Sequence, residues 1–161
     1  MVTEIYDNEV ECKKIWEILR SIPDPEIPVI TIVDLGIARN VMVDGKNVTV
    51  EITPTYSGCP AMDMIAVQIR IELLVHGYIP EIKTILAPAW STDWISDEGK
   101  AKLHDYGIAP PSHSSVKAPE VKCPQCASSN TTMISQFGST ACKSLYQCND
   151  CRECFDLFKC H

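Results

Sequence analysis

The chain predicts an α+β fold, with a small three-stranded mixed sheet covered by helices and a compact cysteine-stapled module behind it. Three observations predict this. Short β-branched runs alternate with helical patterns up to residue 107. A proline-stiffened stretch, 108–120, reads as a linker. Seven of the nine cysteines then fall within the last 39 residues. The expected organisation is a first domain over 1–107, a linker over 108–120 and a second module over 121–161.

Residues 1–8 read as a polar lead. Val10, Ile15, Ile18, Leu19 and Ile22 then recur at helical spacing over 9–22, with Trp16 at the edge of that face and Asp7 or Asn8 as cap. Pro23 stops the helix. Three prolines in Pro23-Asp24-Pro25-Glu26-Ile27-Pro28 fix the backbone and forbid helix or central strand. This stiff loop presents two carboxylates, Asp24 and Glu26; ordinary Asp-Pro turn chemistry explains it as well. Thr31 to Gly36 reads as a bend that Asp34 caps. Residues 37–43 alternate toward a strand, Asp44-Gly45-Lys46-Asn47 makes a hairpin turn, and 48–53 return with Val48, Val50 and Ile52 on one face.

The strongest helix pattern, 61–76, is apolar nearly all round and predicts deep burial. His76 falls in its last turn, as a cap or surface residue, before Gly77. A third strand is expected over 82–86, broken by Pro88-Ala89-Trp90. Trp90 and Trp94 are expected to cover a sheet edge or pack on the helix over 98–106, which Ser96 or Asp97 caps and Gly107 ends. His113, in the linker, reads as solvated.

A formal charge of −7 argues against nucleic acid and against an anionic membrane surface as partners. No apolar run is long enough to span a bilayer and no signal-peptide pattern opens the chain, so a cytoplasmic protein is expected. In that reducing setting, an odd number of cysteines with paired spacings points to metal and not to disulfides.

The tail contains Cys123-Pro124-Gln125-Cys126 and Cys148-Asn149-Asp150-Cys151, separated by 21 residues. Two C-x-x-C knuckles at this spacing suit tetrahedral Zn²⁺, with ribbon strands over 131–135 and 143–147 between them. So short a segment cannot bury enough core without such a staple. Cys142, Cys154, Cys160 and His161 are left over. They are packing residues, additional functional thiols, or ligands of a second site or iron–sulfur cluster, and Cys151-Arg152-Glu153-Cys154 offers an alternative knuckle.

Tyr56-Ser57-Gly58-Cys59-Pro60 joins the second strand to the apolar helix. A cysteine at a helix N-terminus meets free N–H groups and the helix dipole, which favour a thiolate. Pro60 suits the first helical position and Gly58 a tight turn. Cys59 is thus a metal-handling thiol, or a small residue packing a helix cap.

Residues 10–107 resemble the iron–sulfur assembly domain of SufT and the cytosolic iron–sulfur targeting factors. The resemblance lies in Asp24-Pro25-Glu26-Ile27-Pro28, Ile32-Val33-Asp34-Leu35-Gly36 and the stretch ending Gly58-Cys59-Pro60. The tail, through Gly138-Ser139-Thr140-Ala141-Cys142-Lys143, the two knuckles and Phe155-Asp156-Leu157-Phe158-Lys159-Cys160, resembles the PaaD family. It departs from that family at Cys154, where proline is expected, which leaves the fourth zinc ligand open between neighbours. The resemblance implies a non-enzymatic accessory factor of the phenylacetyl-CoA epoxidase system, acting with its oxygenase and reductase subunits. It also implies a transient iron or [2Fe–2S] cluster handled by Cys59 beside Asp24 and Glu26, and a docking role for the zinc ribbon. A homodimer is left open. No Glu-x-x-His di-iron pair and no dinucleotide fingerprint are present in the sequence.

Overall fold

The computed structural model describes residues 2–111 and 120–159, the first six of them in backbone only. Among the described residues the strands form two sheets, one in each of two compact units, Met1–Trp90 and Ser91–His161.

In the first unit, α1 (Val2–Arg20) begins well before the expected start, so Asp7 and Asn8 lie inside it and are not caps. No proline or glycine precedes Pro23, so no strong helix breaker interrupts the chain before it. Its buried face is Ile15 and Leu19, while Val10 is exposed. Strands β1 (Ala38–Asp44) and β2 (Asn47–Ile52) form an antiparallel hairpin pairing Asp44 with Asn47. Gly45 sits at φ 60 in the two-residue turn, a torsion glycine adopts without strain.

Helix α2 (Ala61–Val75) crosses over to β3 (Ile79–Thr84), which pairs parallel to β2 and completes the order β1-β2-β3. The sheet is therefore mixed, as expected. β3 starts earlier than the pattern suggests because it is an edge strand, where Pro80 can be accommodated opposite Val48. Val48, Val50 and Ile52 are buried, as are Ile15 and Leu19 of α1 and Ile65, Ile69 and Leu73 of α2; α1 packs on β1, α2 on β3, and the helices touch each other. On the opposite face, Thr49 and Glu51 carry side-chain hydrogen bonds to Glu81 and Asn40.

The expectation that α2 is deeply buried needs correction. Ala61, Ile65, Ile69 and Leu73 face the core, but Met64, Val67, Ile71, Leu74 and Val75 are all more than half exposed. A helix on a sheet buries only the stripe it turns toward its neighbours. The apolar outer stripe thus remains uncovered within the described residues.

The proline loop is a packed wedge. Ile27, Ile30, Ile32 and Leu35 are almost wholly buried, and Trp90 Nε1 donates to the Leu35 carbonyl at 2.8 Å. Thr31 and Asp34 bond reciprocally, Thr31 N–H to Asp34 Oδ2 at 3.3 Å and Asp34 N–H to Thr31 Oγ1 at 3.1 Å, so Asp34 caps as expected.

In the second unit, a 3-10 turn (Thr92–Trp94) leads to Ser96, whose Oγ accepts the Gly99 N–H at 2.9 Å and caps α3 (Asp97–Asp105). α3 packs on β4 (Ile108–Ala109). β4 in turn pairs parallel with β7 (Cys154–Phe158), at the edge of a sheet ordered β4-β7-β6-β5 with β5 (Thr131–Ser135) and β6 (Lys143–Cys148). Residues 108 and 109 therefore belong to a sheet and not to the expected linker. α3 falls in the second unit, not in a first domain ending at 107. A two-residue strand has too little pattern to register in sequence; its place comes from its partner, Asp156-Leu157. Ala109, Val121, Cys123, Cys148, Phe155 and Leu157 form the core here, with Tyr146 stacked on Phe155. His113 lies outside the described residues.

Candidate functional site

Cys59 closes a turn in which its N–H donates to the Tyr56 carbonyl at 3.3 Å and Gly58 adopts φ 80. Pro60 occupies the cap slot, not the first turn, with φ −69 and ψ −20. Its lack of an N–H leaves Ala61 as the backbone donor to the Cys59 sulfur, and the Tyr56 side chain also bonds to the thiol.

These donors do not make a thiolate. Burial pushes the Cys59 thiol up, and the charges of Glu26 and then Asp24 push it further, outweighing Ala61 and Tyr56. The donors expected to activate Cys59 at the helix terminus are thus outweighed, and the shift runs toward the thiol. The loop acids do lie within electrostatic reach of it.

The two acids differ. Asp24 is buried, and its Oδ1 accepts the N–H groups of Glu26 at 2.9 Å and Ile27 at 2.8 Å. This Asx turn shapes the loop, so Asp24 is held inward and not presented. Glu26 is half-buried and exerts the larger influence on Cys59. Tyr56 belongs to this group, although no spacing in the sequence signals it.

In the second unit, the sulfurs of Cys123, Cys126, Cys148 and Cys151 all lie within 4.8 Å of one another. The short approaches run between knuckles, 3.7 Å from Cys123 to Cys151 and 3.5 Å from Cys126 to Cys148. Sulfurs at about 2.3 Å from a tetrahedral zinc stand ~3.8 Å apart, so the donor set fits that ion with little movement.

The knuckles repeat one backbone pattern. Ala127 N–H donates to the Cys123 carbonyl at 2.8 Å and Arg152 N–H to the Cys148 carbonyl at 3.0 Å. Cys123 N–H reaches the Ser128 carbonyl and Cys148 N–H the Glu153 carbonyl, both at 2.9 Å. Ala127 at φ 59 and Arg152 at φ 69 follow the second cysteine of each knuckle in the left-handed region. Ser128 N–H bonds to the Cys126 sulfur and Glu153 N–H to that of Cys151. Cys148 receives N–H groups from Cys151 and Asp150 and is drawn down to about 7, while Cys151, despite the Glu153 N–H, is pushed up to about 12 by burial and then by its neighbouring sulfurs.

Cys151, not Cys154, completes the set. Cys154 is exposed at the start of β7, opposite Gln147. Cys142 is buried, its sulfur 3.0 Å from Thr140 Oγ1, and reads as packing. Cys160 and His161 lie outside the described residues. The Gly138–Lys143 motif is architectural: Ser139 Oγ donates to Asp156 Oδ2 at 2.7 Å, and the buried Lys143 Nζ lies 3.8 Å from the same oxygen. His76 is exposed in the cap slot of α2, its Nδ1 2.8 Å from the Glu72 carbonyl. No helix among the described residues is long and apolar enough to cross a membrane.

Two family models meet on this frame. Residues 13–76 match an iron–sulfur cluster assembly protein family, and 108–159 match the PaaD zinc beta ribbon domain. The chain is also similar to the crystal structure of a domain of unknown function, DUF59, from Bacillus anthracis, at 27% identity and TM-score 0.58, covering 62% of this chain and 96% of that one. These define the class: an iron–sulfur assembly-type domain joined to a zinc ribbon with a four-cysteine metal site.

A protein of Escherichia coli (strain K12), provisionally named as a component of 1,2-phenylacetyl-CoA epoxidase, is 52% identical over 151 residues, 91% of this chain and 92% of that one. The chain belongs to this PaaD family. It is also similar to an Fe-S protein maturation auxiliary factor of Porphyromonas gingivalis, 37% identical over 92 residues, 55% of this chain and 87% of that protein.

Proposed function

We propose that this protein is a cytoplasmic maturation factor of a phenylacetyl-CoA epoxidase system, assisting assembly or insertion of the [2Fe–2S] cluster of the reductase subunit and catalysing no oxygen chemistry. The observation that carries this reading is the half-buried Cys59 thiol lying within electrostatic reach of Glu26, and more weakly of Asp24, in a domain of the iron–sulfur assembly type. The names of the Porphyromonas and Escherichia relatives support the role and the pathway.

Here the cluster or iron is cargo. Cys59 stays protonated until a cation arrives, and the cation then displaces the thiol proton. Glu26 attracts that cation and tunes its hold, while Asp24 keeps the loop in shape. A site with so few protein ligands holds cargo briefly and releases it. Cys123, Cys126, Cys148 and Cys151 hold one zinc, which fixes the ribbon as a docking module for the reductase and oxygenase subunits. Cys59→Ser is expected to lower the iron and acid-labile sulfide of co-expressed reductase several-fold. Unchanged cluster content with full epoxidase activity rejects the role.

One observation favours a second reading, a docking component of the oxygenase–reductase complex. The outer stripe of α2, Met64, Val67, Ile71, Leu74 and Val75, is a run of exposed apolar side chains of the kind that marks protein contacts. In this reading V67D/I71D abolishes co-purification with those subunits, and Cys59→Ser leaves reductase clusters intact.

A further inference from the structure

We infer that Asp150 is a positioning residue for the metal: with Ser128, Asn130 and Asn149 it clasps the two cysteine knuckles together and slows loss of the ion they hold. The inference rests on the reading that the four cysteines bind zinc.

Asn149 and Asp150 are the inner residues of the second knuckle, and residues 127–130 form the outgoing limb of the first. Asp150 Oδ2 accepts the Ser128 hydroxyl, and its Oδ1 accepts the Asn130 side-chain amide at 2.8 Å. Asn149 Nδ2 donates to Asn130 Oδ1 and to Thr132 Oγ1, both at 3.0 Å, while its backbone N–H donates to the Asn130 carbonyl at 2.9 Å. Asn130 N–H donates back to Ser128 Oγ at 3.0 Å, which fixes the limb itself. The Asn130 amide thus gives its hydrogen to Asp150 and its oxygen to Asn149.

The placement of these bonds matters more than their number. Two close sulfur–sulfur approaches, 3.7 and 3.5 Å, each join one knuckle to the other. An ion leaves such a site when the knuckles part, and the Asp150 and Asn149 bonds resist that separation. Electrostatics alone would disfavour Asp150 here. A divalent ion with four thiolates is itself an anion, and a neighbouring carboxylate repels it. The carboxylate is instead satisfied by two donors from the opposing limb, bonds that a charged acceptor strengthens. Its role is therefore geometric, as for the outer partners that orient metal ligands elsewhere.

The test uses the full-length zinc-loaded chain and measures zinc release to excess chromogenic chelator. D150A is expected to release zinc ~10-fold faster. D150N keeps an acceptor for Asn130 but not for the Ser128 hydroxyl, so its rate should fall between wild type and D150A. Cobalt-loaded D150A should keep the tetrahedral four-thiolate absorption, since no ligand is altered. D150A and S128A both releasing zinc at the wild-type rate overturn the clasp alone. If D150A does not load metal, S128A decides by the same criterion. Loss of the cobalt signature in D150N as well makes Asp150 a folding residue and also overturns the assignment. A wild-type chain that holds no zinc overturns the underlying metal reading together with the clasp.

Discussion

Cys59 and Cys148 both receive backbone N–H groups on sulfur, yet their acidities move in opposite directions. Burial and two loop carboxylates push the Cys59 thiol up, while Cys148, served by the N–H groups of Cys151 and Asp150 beside other sulfurs, is drawn down to about 7. The difference lies in the surroundings and not in the residue. A knuckle wraps its sulfur in donors and brings three more sulfurs within 4.8 Å. The Cys59 turn supplies one N–H, one phenol and two negative charges. The first arrangement fits a metal that is held; the second, on the proposed function, suits one that arrives and departs.

The comparison breaks most completely through the metal set. Cys148→Ser is expected to remove metal from the second unit and melt its sheet, because an apparent binding energy of about 10–16 kcal/mol is also folding energy there. The first unit has its own core and should stay folded. Zinc content and unit-resolved amide exchange check both halves. Collapse of α1, α2 and their sheet in this variant would show the units to be energetically inseparable.

Next in size is Gly138→Ala. A Cβ there would stand 2.2 Å from Asp156 Oδ1, and Asp156 is held by Ser139 and Lys143 and cannot simply swing aside. Overpacking of this kind costs about 2 kcal/mol. Thermal unfolding of the metal-loaded chain measures it, with no change expected at Cys59. Smaller and opposite in sign are Ala127→Gly and Arg152→Gly. Both residues sit in the left-handed region, so relief of strain, less the added freedom of the unfolded chain, should stabilise the loaded ribbon by about 0.5–1 kcal/mol each. A destabilised glycine variant would mean that the side chains at these positions make contacts outweighing the strain.

Much of this contrast is legible from sequence, for identifiable reasons. The knuckles announce themselves because tetrahedral coordination demands fixed spacing, and the β1–β2 hairpin because Gly45-Lys46 suits a two-residue turn between Asp44 and Asn47. β4 and β7 escape because a two-residue strand and a five-residue strand between cysteines gain identity only from each other and from β6. The exposed face of α2 escapes because apolar residues all round a helix do not say which side has a neighbour. The Cys59 turn and the proline loop are each visible, but their proximity is not, since 34 residues separate Asp24 from Cys59. The upward shift of the thiol comes first from burial and then from that proximity, whereas the local rule, a cysteine at a helix start, predicts the opposite sign.

The smallest expected effect sharpens the comparison at this point. Glu26 raises the Cys59 pKa by its charge, so removing that charge in Glu26→Gln should lower it. Alkylation proceeds through the thiolate, so the wild-type rate-against-pH curve for Cys59 should lie above that of a free cysteine, near ~8.5. The Glu26→Gln curve should lie between the two, since burial still acts as the largest cause. Asp24→Asn is a poorer probe, because it also alters the acceptor for the Glu26 and Ile27 N–H groups and with it the loop. A Glu26→Gln curve that coincides with wild type would separate the loop from the thiol and leave burial alone to hold the proton. A curve that moves down as expected ties both motifs to one site, and the same variant should then weaken the hold of Cys59 on a cation, since the charge that disfavours the thiolate is also the charge that attracts its metal.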